Sequence, residues 1–351
     1  MKLIIQIPCY NEEAVLPQTL ADLPRRLPGF DTVEFLVIDD GSTDRTVEVA
    51  RECGVEHVVC LNGNQGLARA FMAGLTAAIQ HGADVIVNTD ADNQYDAADI
   101  PRLVAPILEN RADIVVGARP IDDIHHFSGV KRWLQRLGSH VTRTLSQTDV
   151  RDAPSGFRAM TRDAALRLNV FNGYTYTLET LIQAGRSNLR VVNVPIRVNG
   201  PTRPSRLMRS MVQYVWRSVW TMGSAYLVYR PTQVFRLLAA ALFGPALVLA
   251  VRYLYIAAFL GDGRGHLHSV IASGVLATCG VLLMAAGFLA HLLAINRRLL
   301  EEIRYIERSR QYAAGRQPDR PPTERDALPT GVDILTTETY HGPRRMSATH
   351  S

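Results

Sequence analysis

The sequence predicts an α/β fold: a mainly parallel sheet flanked by helices, followed by amphipathic interfacial helices and a two-helix transmembrane hairpin. Three observations lead there. Short β-rich apolar runs alternate with helix-patterned segments up to about residue 118, two long apolar runs lie at about 233–260 and 269–296, and a stretch rich in Arg, Trp and Tyr precedes them. Strands alternating with helices need crossover connections, which give parallel strands covered on both faces. Each long run exceeds the roughly 20 residues a helix needs to cross a bilayer core.

The expected strands are LIIQI (3–7), VEFLVI (33–38), EHVVCL (56–61), ADVIVN (83–88) and ADIVVG (112–117), with helical segments at roughly 12–26, 44–53, 65–81 and 97–110. Ligands of such sheets bind beyond the carboxyl ends of the strands. PCYNEE, DDGSTD, NGNQG, TDADNQ and ARP follow the runs and are expected to line one crevice. A helical stretch, the turn-rich DAPSGFRA, another helix and a strand in LRVVNVPIRV complete a first domain over 1–202.

In 203–230, Leu207, Met211, Tyr214, Val215 and Val219 recur at helical spacing among Arg206, Arg209 and Arg217, with Trp216, Trp220, Tyr226 and Tyr229 added. That mixture suits helices lying in the lipid headgroup zone. The hairpin is expected over 231–298, with a kink at Gly244-Pro245. Arg252 is expected near the far interface, because a mid-bilayer Arg costs about 2.5–3.5 kcal/mol on insertion scales. Arg230, Arg236, Arg297, Arg298 and Arg304 flank the hairpin, whereas its connecting turn, GDGRGHLH, carries one Arg. The positive-inside rule therefore places the N-terminal domain and the C-terminus in the cytoplasm of a multi-pass inner-membrane protein. Residues 299–351 read as a cytoplasmic helical extension and a disordered, proline-bearing tail.

The 47% hydrophobic content suits globular or membrane-associated structure, and the modest formal charge of +5 fits a local basic patch rather than a nucleic-acid-coating protein. Cys9, Cys53, Cys60 and Cys279 show no CxxC spacing and read as structural thiols. LIIQI is too short for a signal-peptide core. No GxGxxG follows the first strand and no GxxxxGK[ST] occurs, which disfavours dehydrogenases and P-loop enzymes.

The chemistry concentrates in NTDADNQY, 88–95. Extended backbone would point Asp90 and Asp92 to one side. Two carboxylates so placed repel unless a cation lies between them, and oxygen ligands suit Mg²⁺ or Mn²⁺. Magnesium uses one or two protein carboxylates and completes its shell with substrate phosphates, so a nucleotide diphosphate is the expected partner. Asp39 at a strand end can accept from a base or ribose, and Gly66 opens a helix whose N–H groups suit phosphate. Arg119, Lys131, Arg132 and Arg136 could form a basic mouth for an anionic lipid head.

IPCYNEE, VIDDGSTDRT, NQGLARA and DADNQY, in this order, resemble the family 2 glycosyltransferases of the GT-A (Rossmann-like) fold. GFRAM near residue 156 and the hairpin narrow the resemblance to the polyprenyl-phosphate glycosyltransferase branch, typified by dolichol-phosphate mannose synthase and undecaprenyl-phosphate sugar transferases. The resemblance implies that Pro8, Tyr10, Asn11 and Glu12 border the nucleotide, with Asp39 on base or ribose and Asp40 beside it. It makes Asp90 and Asp92 the metal pair, completed by Gln94, and sets Arg119 towards the acceptor phosphate. Arg136 and Ser139, with Arg132 as an alternative, stand for the family's acceptor helix. Asp152, Ser155, Gly156 and Arg158 match the second active-site motif, and Asp92, Arg119 and Asp152 are the catalytic candidates.

The implied activity is metal-dependent, inverting transfer of one sugar from a UDP- or GDP-linked donor to a polyprenyl phosphate at the membrane, with homo-oligomerisation left open. The alternatives are another membrane-lipid acceptor or an inactive nucleotide-sugar-binding membrane protein. A processive synthase is disfavoured because QxxRW is absent.

Overall fold

The computed structural model describes residues 1–120, 140, 143–170, 176–199, 216, 220, 223–224, 227–260 and 267–315. The chain forms two units, one of Met1–Arg209 with the chain from Tyr305 on, the other Ser210–Arg304.

Seven strands form one sheet in the first unit: β1 (Lys2–Cys9), β2 (Thr32–Asp39), β3 (His57–Cys60), β4 (Val85–Asn88), β5 (Ile114–Ala118), β6 (Arg158–Thr161) and β7 (Val191–Pro195), in the spatial order β3-β2-β1-β4-β6-β5-β7. All neighbours are parallel except β6, which runs antiparallel to both β4 and β5. The five expected runs became β1 to β5 and LRVVNVPIRV supplied β7. β6 was not anticipated.

Burial explains the sheet. β1 is buried from Leu3 onward, as a strand covered on both faces must be. Its side chains alternate between two cores. Ile4 joins Leu36, Ile38, Phe71 and Leu75, while Leu3, Ile5 and Ile7 join Phe35, Val37 and Leu103. Helices α1 (Leu16–Asp22), α2 (Thr46–Glu52), α3 (Leu67–Gln80), α4 (Ile100–Leu108), α5 (Arg162–Arg167) and α6 (Tyr176–Arg186) accompany the strands.

β6 matters for position. Its pairing sets Arg158 opposite Asn88, so the segment entering β6 meets the chain leaving β4.

The second unit contains most of the two apolar helices. α7 (Pro231–Tyr255) continues through Gly244 and Pro245 and ends in a π-helical turn, Ile256–Leu260. α8 (Leu267–Gly315) is a single 49-residue helix that continues past residue 296 without a break. Both are long and apolar enough to cross a membrane. Ser273 donates to the Ala246 carbonyl at 2.8 Å. Gly280 lies against Phe243, and Gly287 against Phe235. The descending and ascending numbers show an antiparallel pair, with small residues admitting close approach. Leu247, Val251, Phe259, Leu282, Phe288 and Leu293 remain exposed, as lipid-facing side chains do. Arg252 is exposed near the end of α7.

The last turns of α8 dock on α5 within the first unit. The Arg167 guanidinium lies 4.3 Å from the Tyr305 ring centre, and Tyr305 Oη donates to Asp163 at 2.7 Å. Arg308 donates to the Leu168 carbonyl at 3.1 Å, and Arg162 lies 4.4 Å from the Tyr312 ring centre. Replacing Tyr305 and Tyr312 together by Ala removes both cation–π contacts. Trypsin should then cut near Arg308 and Arg310 several-fold faster than in the wild type. An unchanged cleavage rate would show that these rings do not hold the helix end.

Of the expected interfacial segment, the described Trp216 and Trp220 are exposed. The remainder of 203–226, apart from positions 223 and 224, lies outside the described residues, as does the tail beyond 315.

Candidate active site

The loops after β1, β2 and β4 are tied together at the carboxyl edge of the sheet. Asn11 sits at φ 55°. Its N–H donates to Ser42 Oγ at 2.9 Å, and its Oδ1 accepts from the Thr43 N–H at 2.8 Å. The Glu12 N–H donates to Thr46 Oγ1 at 2.9 Å, and the Glu12 side chain is buried. Pro8 lies within β1, and Tyr10 is exposed immediately after it. Asp39 is buried and accepts the Ser42 N–H at 3.1 Å.

Asp40 and Gly66, both expected on the nucleotide, are engaged with each other in this structure. The Asp40 carboxylate accepts the N–H groups of Gln65 at 2.7 Å and Gly66 at 2.9 Å. The amide expected to cradle phosphate is therefore already bonded to a carboxylate that joins the β2 and β3 loops. Gly41, at φ 73°, allows this closure, because a side chain there would strike the Gly63 backbone.

The carboxylate pair follows β4. Its backbone is not extended as expected, since Ala91 and Asp92 form a turn and Asn93 lies at φ 54°. The two carboxylates nevertheless share an environment. Asp90, Asp92 and Gln94 are half-buried, while Ala91, Asn93 and Tyr95 are buried. The turn is held on both sides. Thr19 Oγ1 donates to the Ala91 carbonyl at 2.8 Å, Asn93 Nδ2 to Asp22 at 2.8 Å, and Asn199 Nδ2 to the Asn93 carbonyl at 3.0 Å. Asp92 Oδ1 accepts the Gln94 N–H at 3.1 Å. Burial first, and the neighbouring Asp92 charge second, push the Asp90 carboxyl up to about 7, against the pull of Arg119 and a Tyr95 hydrogen bond. Two hard-oxygen carboxylates and an amide side chain suit an ion that takes few protein ligands and leaves room for phosphate oxygens. Among the described residues no group of three or more His, Cys, Asp or Glu is placed to hold a metal.

Arg119 leaves the end of β5 and turns onto Asp152. Its Nε and Nη2 donate to the two carboxylate oxygens at 2.7 and 3.0 Å, and its backbone N–H adds a third bond at 3.2 Å. The Asp152 side chain is 1% exposed and that of Arg119 11%. Asp152, a candidate for direct chemistry, is thus the buried anchor of Arg119. Behind them Arg158 is fully buried and gathers the loop, donating to the carbonyls of Ser155 and Ala153 at 2.9 and 2.8 Å and to Thr180 Oγ1 at 2.6 Å.

This arrangement coincides with the matches to known proteins. The sequence model for "Glycosyl transferase family 2" matches residues 4–168, which run from within β1 through β6 and include the whole carboxylate loop. An undecaprenyl-phosphate mannosyltransferase of Micrococcus luteus is 31% identical over 206 residues, covering 56% of this chain and 83% of that protein. An uncharacterised glycosyltransferase of Mycobacterium bovis is 34% identical over 219 residues, covering 59% and 92%. The chain belongs to glycosyl transferase family 2.

It is therefore a glycosyltransferase enzyme of GT-A-like fold. A polyprenol monophosphomannose synthase of Mycolicibacterium smegmatis, 27% identical over 204 residues (55% of this chain, 76% of that protein), adds a second relative of the polyprenyl-phosphate branch. In this family 2 glycosyltransferase, Arg132, Arg136 and Ser139 lie outside the described residues. The sequence reading overlooked Tyr95, Asn88 and Tyr176. Asn88 Nδ2 donates to the Gly156 carbonyl at 2.8 Å and to Tyr176 Oη at 3.0 Å. A buried Asn ending an apolar strand, directly before the carboxylates, was the available signal.

Proposed function

We propose that the protein transfers one sugar from a nucleotide-diphosphate sugar to a polyprenyl phosphate at the cytoplasmic leaflet of the membrane, inverting the anomeric configuration. The observation that carries this reading is the fixed, half-buried pair Asp90 and Asp92 at the end of β4, in a chain with two membrane-length helices. Relatives named for undecaprenyl-phosphate and polyprenol mannose transfer support the acceptor class.

Asp90, Asp92 and Gln94 would hold Mg²⁺ or Mn²⁺. When bound, that ion supplies positive charge against the diphosphate of the departing nucleotide. The protein's own part is positioning. Asp39 borders the nucleotide, and the Asn11 and Glu12 turn, tied to 42–46, fixes the wall beside it. Arg119, held in place by Asp152, would set positive charge where an acceptor phosphate has to approach. A phosphate monoester is already ionised near pH 7, so it attacks the anomeric carbon without a general base. That suits a site in which Asp152 is occupied by Arg119.

The fold also supports a cytoplasmic catalytic unit. Residues up to Arg209 and from Tyr305 on belong to one unit, so an intervening membrane hairpin would leave and return on one membrane face. Two crossings satisfy this, and the Arg-rich flanks orient them. Protease added outside sealed cells should leave the N-terminal domain whole, and its digestion there would reverse the orientation.

The decisive assay incubates purified full-length protein with Mg²⁺ or Mn²⁺, a polyprenyl phosphate and a panel of radiolabelled UDP- and GDP-sugars. Label should pass into an organic-soluble, mild-acid-labile lipid. Label found only in polymer, or in a lipid stable to mild acid, rejects the polyprenyl-phosphate product.

A further inference from the structure

Residues 196–199, which follow β7, form a strap along the carboxylate loop. The Ile196 N–H donates to the Ala118 carbonyl at 3.0 Å, tying the strap to the end of β5 immediately before Arg119. The Arg197 N–H donates to the buried Asp99 carboxylate at 2.6 Å, and the Arg197 guanidinium pairs with Asp96 at 3.0 Å and Asp99 at 3.1 Å. Val198 forms a backbone bridge to Tyr95. Asn199 ends the strap against Gln94.

Three hydrogen bonds fix the main chain around Gln94. The peptide entering it is held at both ends. Its N–H donates to Asp92 Oδ1 at 3.1 Å, and its carbonyl, that of Asn93, accepts from Asn199 Nδ2 at 3.0 Å. The peptide leaving Gln94 is held by the Asn199 N–H, which donates to the Gln94 carbonyl at 2.9 Å. Both planes that set the Gln94 backbone angles are therefore fixed, and two of the three bonds come from Asn199. Asn93, just before, sits at φ 54°, in a left-handed conformation that persists only where surrounding contacts hold it. Asn199 is itself exposed, so its side chain is not there to fill a core.

We propose that Asn199 is a positioning residue that fixes Gln94 in the orientation with which its side-chain amide completes the cation site of Asp90 and Asp92. This rests on the metal-site reading given under Proposed function. Groups that orient a metal ligand from outside carry about 10–100-fold of the affinity in other metal sites. The physical reason is that an oxygen donor already in place reduces the ordering that binding must impose. The strap can act this way because it is anchored elsewhere, on β5 through Ile196 and on Asp96 and Asp99 through Arg197.

The test is Mn²⁺ titration followed by electron paramagnetic resonance on the full-length protein, with Mn²⁺ alone, with UDP and with GDP. Asn199→Ala should melt within a few degrees of wild type, yet bind Mn²⁺ about tenfold more weakly. Asn199→Leu, of similar shape but without the amide donor, should behave alike and carries the test if Asn199→Ala does not fold. Gln94→Ala should weaken binding at least as much, and adding Asn199→Ala to it should change affinity by less than about twofold, because both act through one ligand. A general loosening of the loop would instead weaken both backgrounds equally, and that result overturns the positioning role. Asn199→Ala binding Mn²⁺ within about twofold of wild type also overturns it, while leaving the metal site standing. Wild-type protein that binds no Mn²⁺ under all three conditions overturns the metal reading and this inference with it.

Discussion

Asp92→Asn is expected to reduce sugar transfer by roughly 10²–10³-fold, the scale seen when one electrostatic contact to developing charge is removed, while the protein remains folded. The two halves of that expectation have different origins. Asp92 Oδ1 accepts the Gln94 N–H at 3.1 Å, and an Asn carbonyl oxygen can accept the same bond, so the turn survives. What disappears is one of two anionic oxygen donors, and with it much of the affinity for a hard cation. The measurements are the initial rate across Mg²⁺ or Mn²⁺ concentrations and a melting curve. Wild-type turnover by Asp92→Asn in EDTA would end the metal-site reading.

A second large effect is expected in stability. Asp152→Ala should destabilise the catalytic unit by about 3–5 kcal/mol, because it leaves the Arg119 guanidinium buried without its partner. For a domain of this size that corresponds to a fall in melting temperature on the order of 10 °C. Arg119→Met combined with Asp152→Leu should recover most of the loss, since a buried ion pair replaced by packed apolar groups is often neutral. The double variant should remain inactive, having no cation for an acceptor phosphate. If Asp152→Ala melts with wild type, the pair is not the buried anchor described above. The same result would return Asp152 to the list of groups open to chemistry.

Particular residues explain what could be read from the sequence. β1, β2, β4 and β5 were legible because continuous Val, Ile and Leu runs between turn-forming residues have few other solutions. β6 was not, because RAMT is four residues long and opens on an arginine. That arginine is buried only because loop carbonyls and Thr180 converge on it, and no local pattern announces such an arrangement. The carboxylates were legible as a pair, but the reason given for their common direction was not correct, since a turn with Asn93 at positive φ replaces extended backbone. Arg119 with Asp152 and Asp40 with Gly66 are long-range pairings, 33 and 26 positions apart, settled by which loops the sheet order brings together. α8 outlasts its apolar run, since hydropathy declines after residue 296 while Leu299, Leu300, Ile303 and Ile306 continue the helix.

The return of α8 to α5 has an architectural consequence. Since the first unit takes in both Met1–Arg209 and the chain from Tyr305 on, the segment with the two apolar helices is a guest interrupting a host domain, not an appendage. Excising it and splicing a flexible soluble linker in its place leaves both docking partners in one polypeptide. Such a miniaturised enzyme should retain donor recognition in plain buffer and accept short water-soluble prenyl phosphates, separating sugar chemistry from lipid capture.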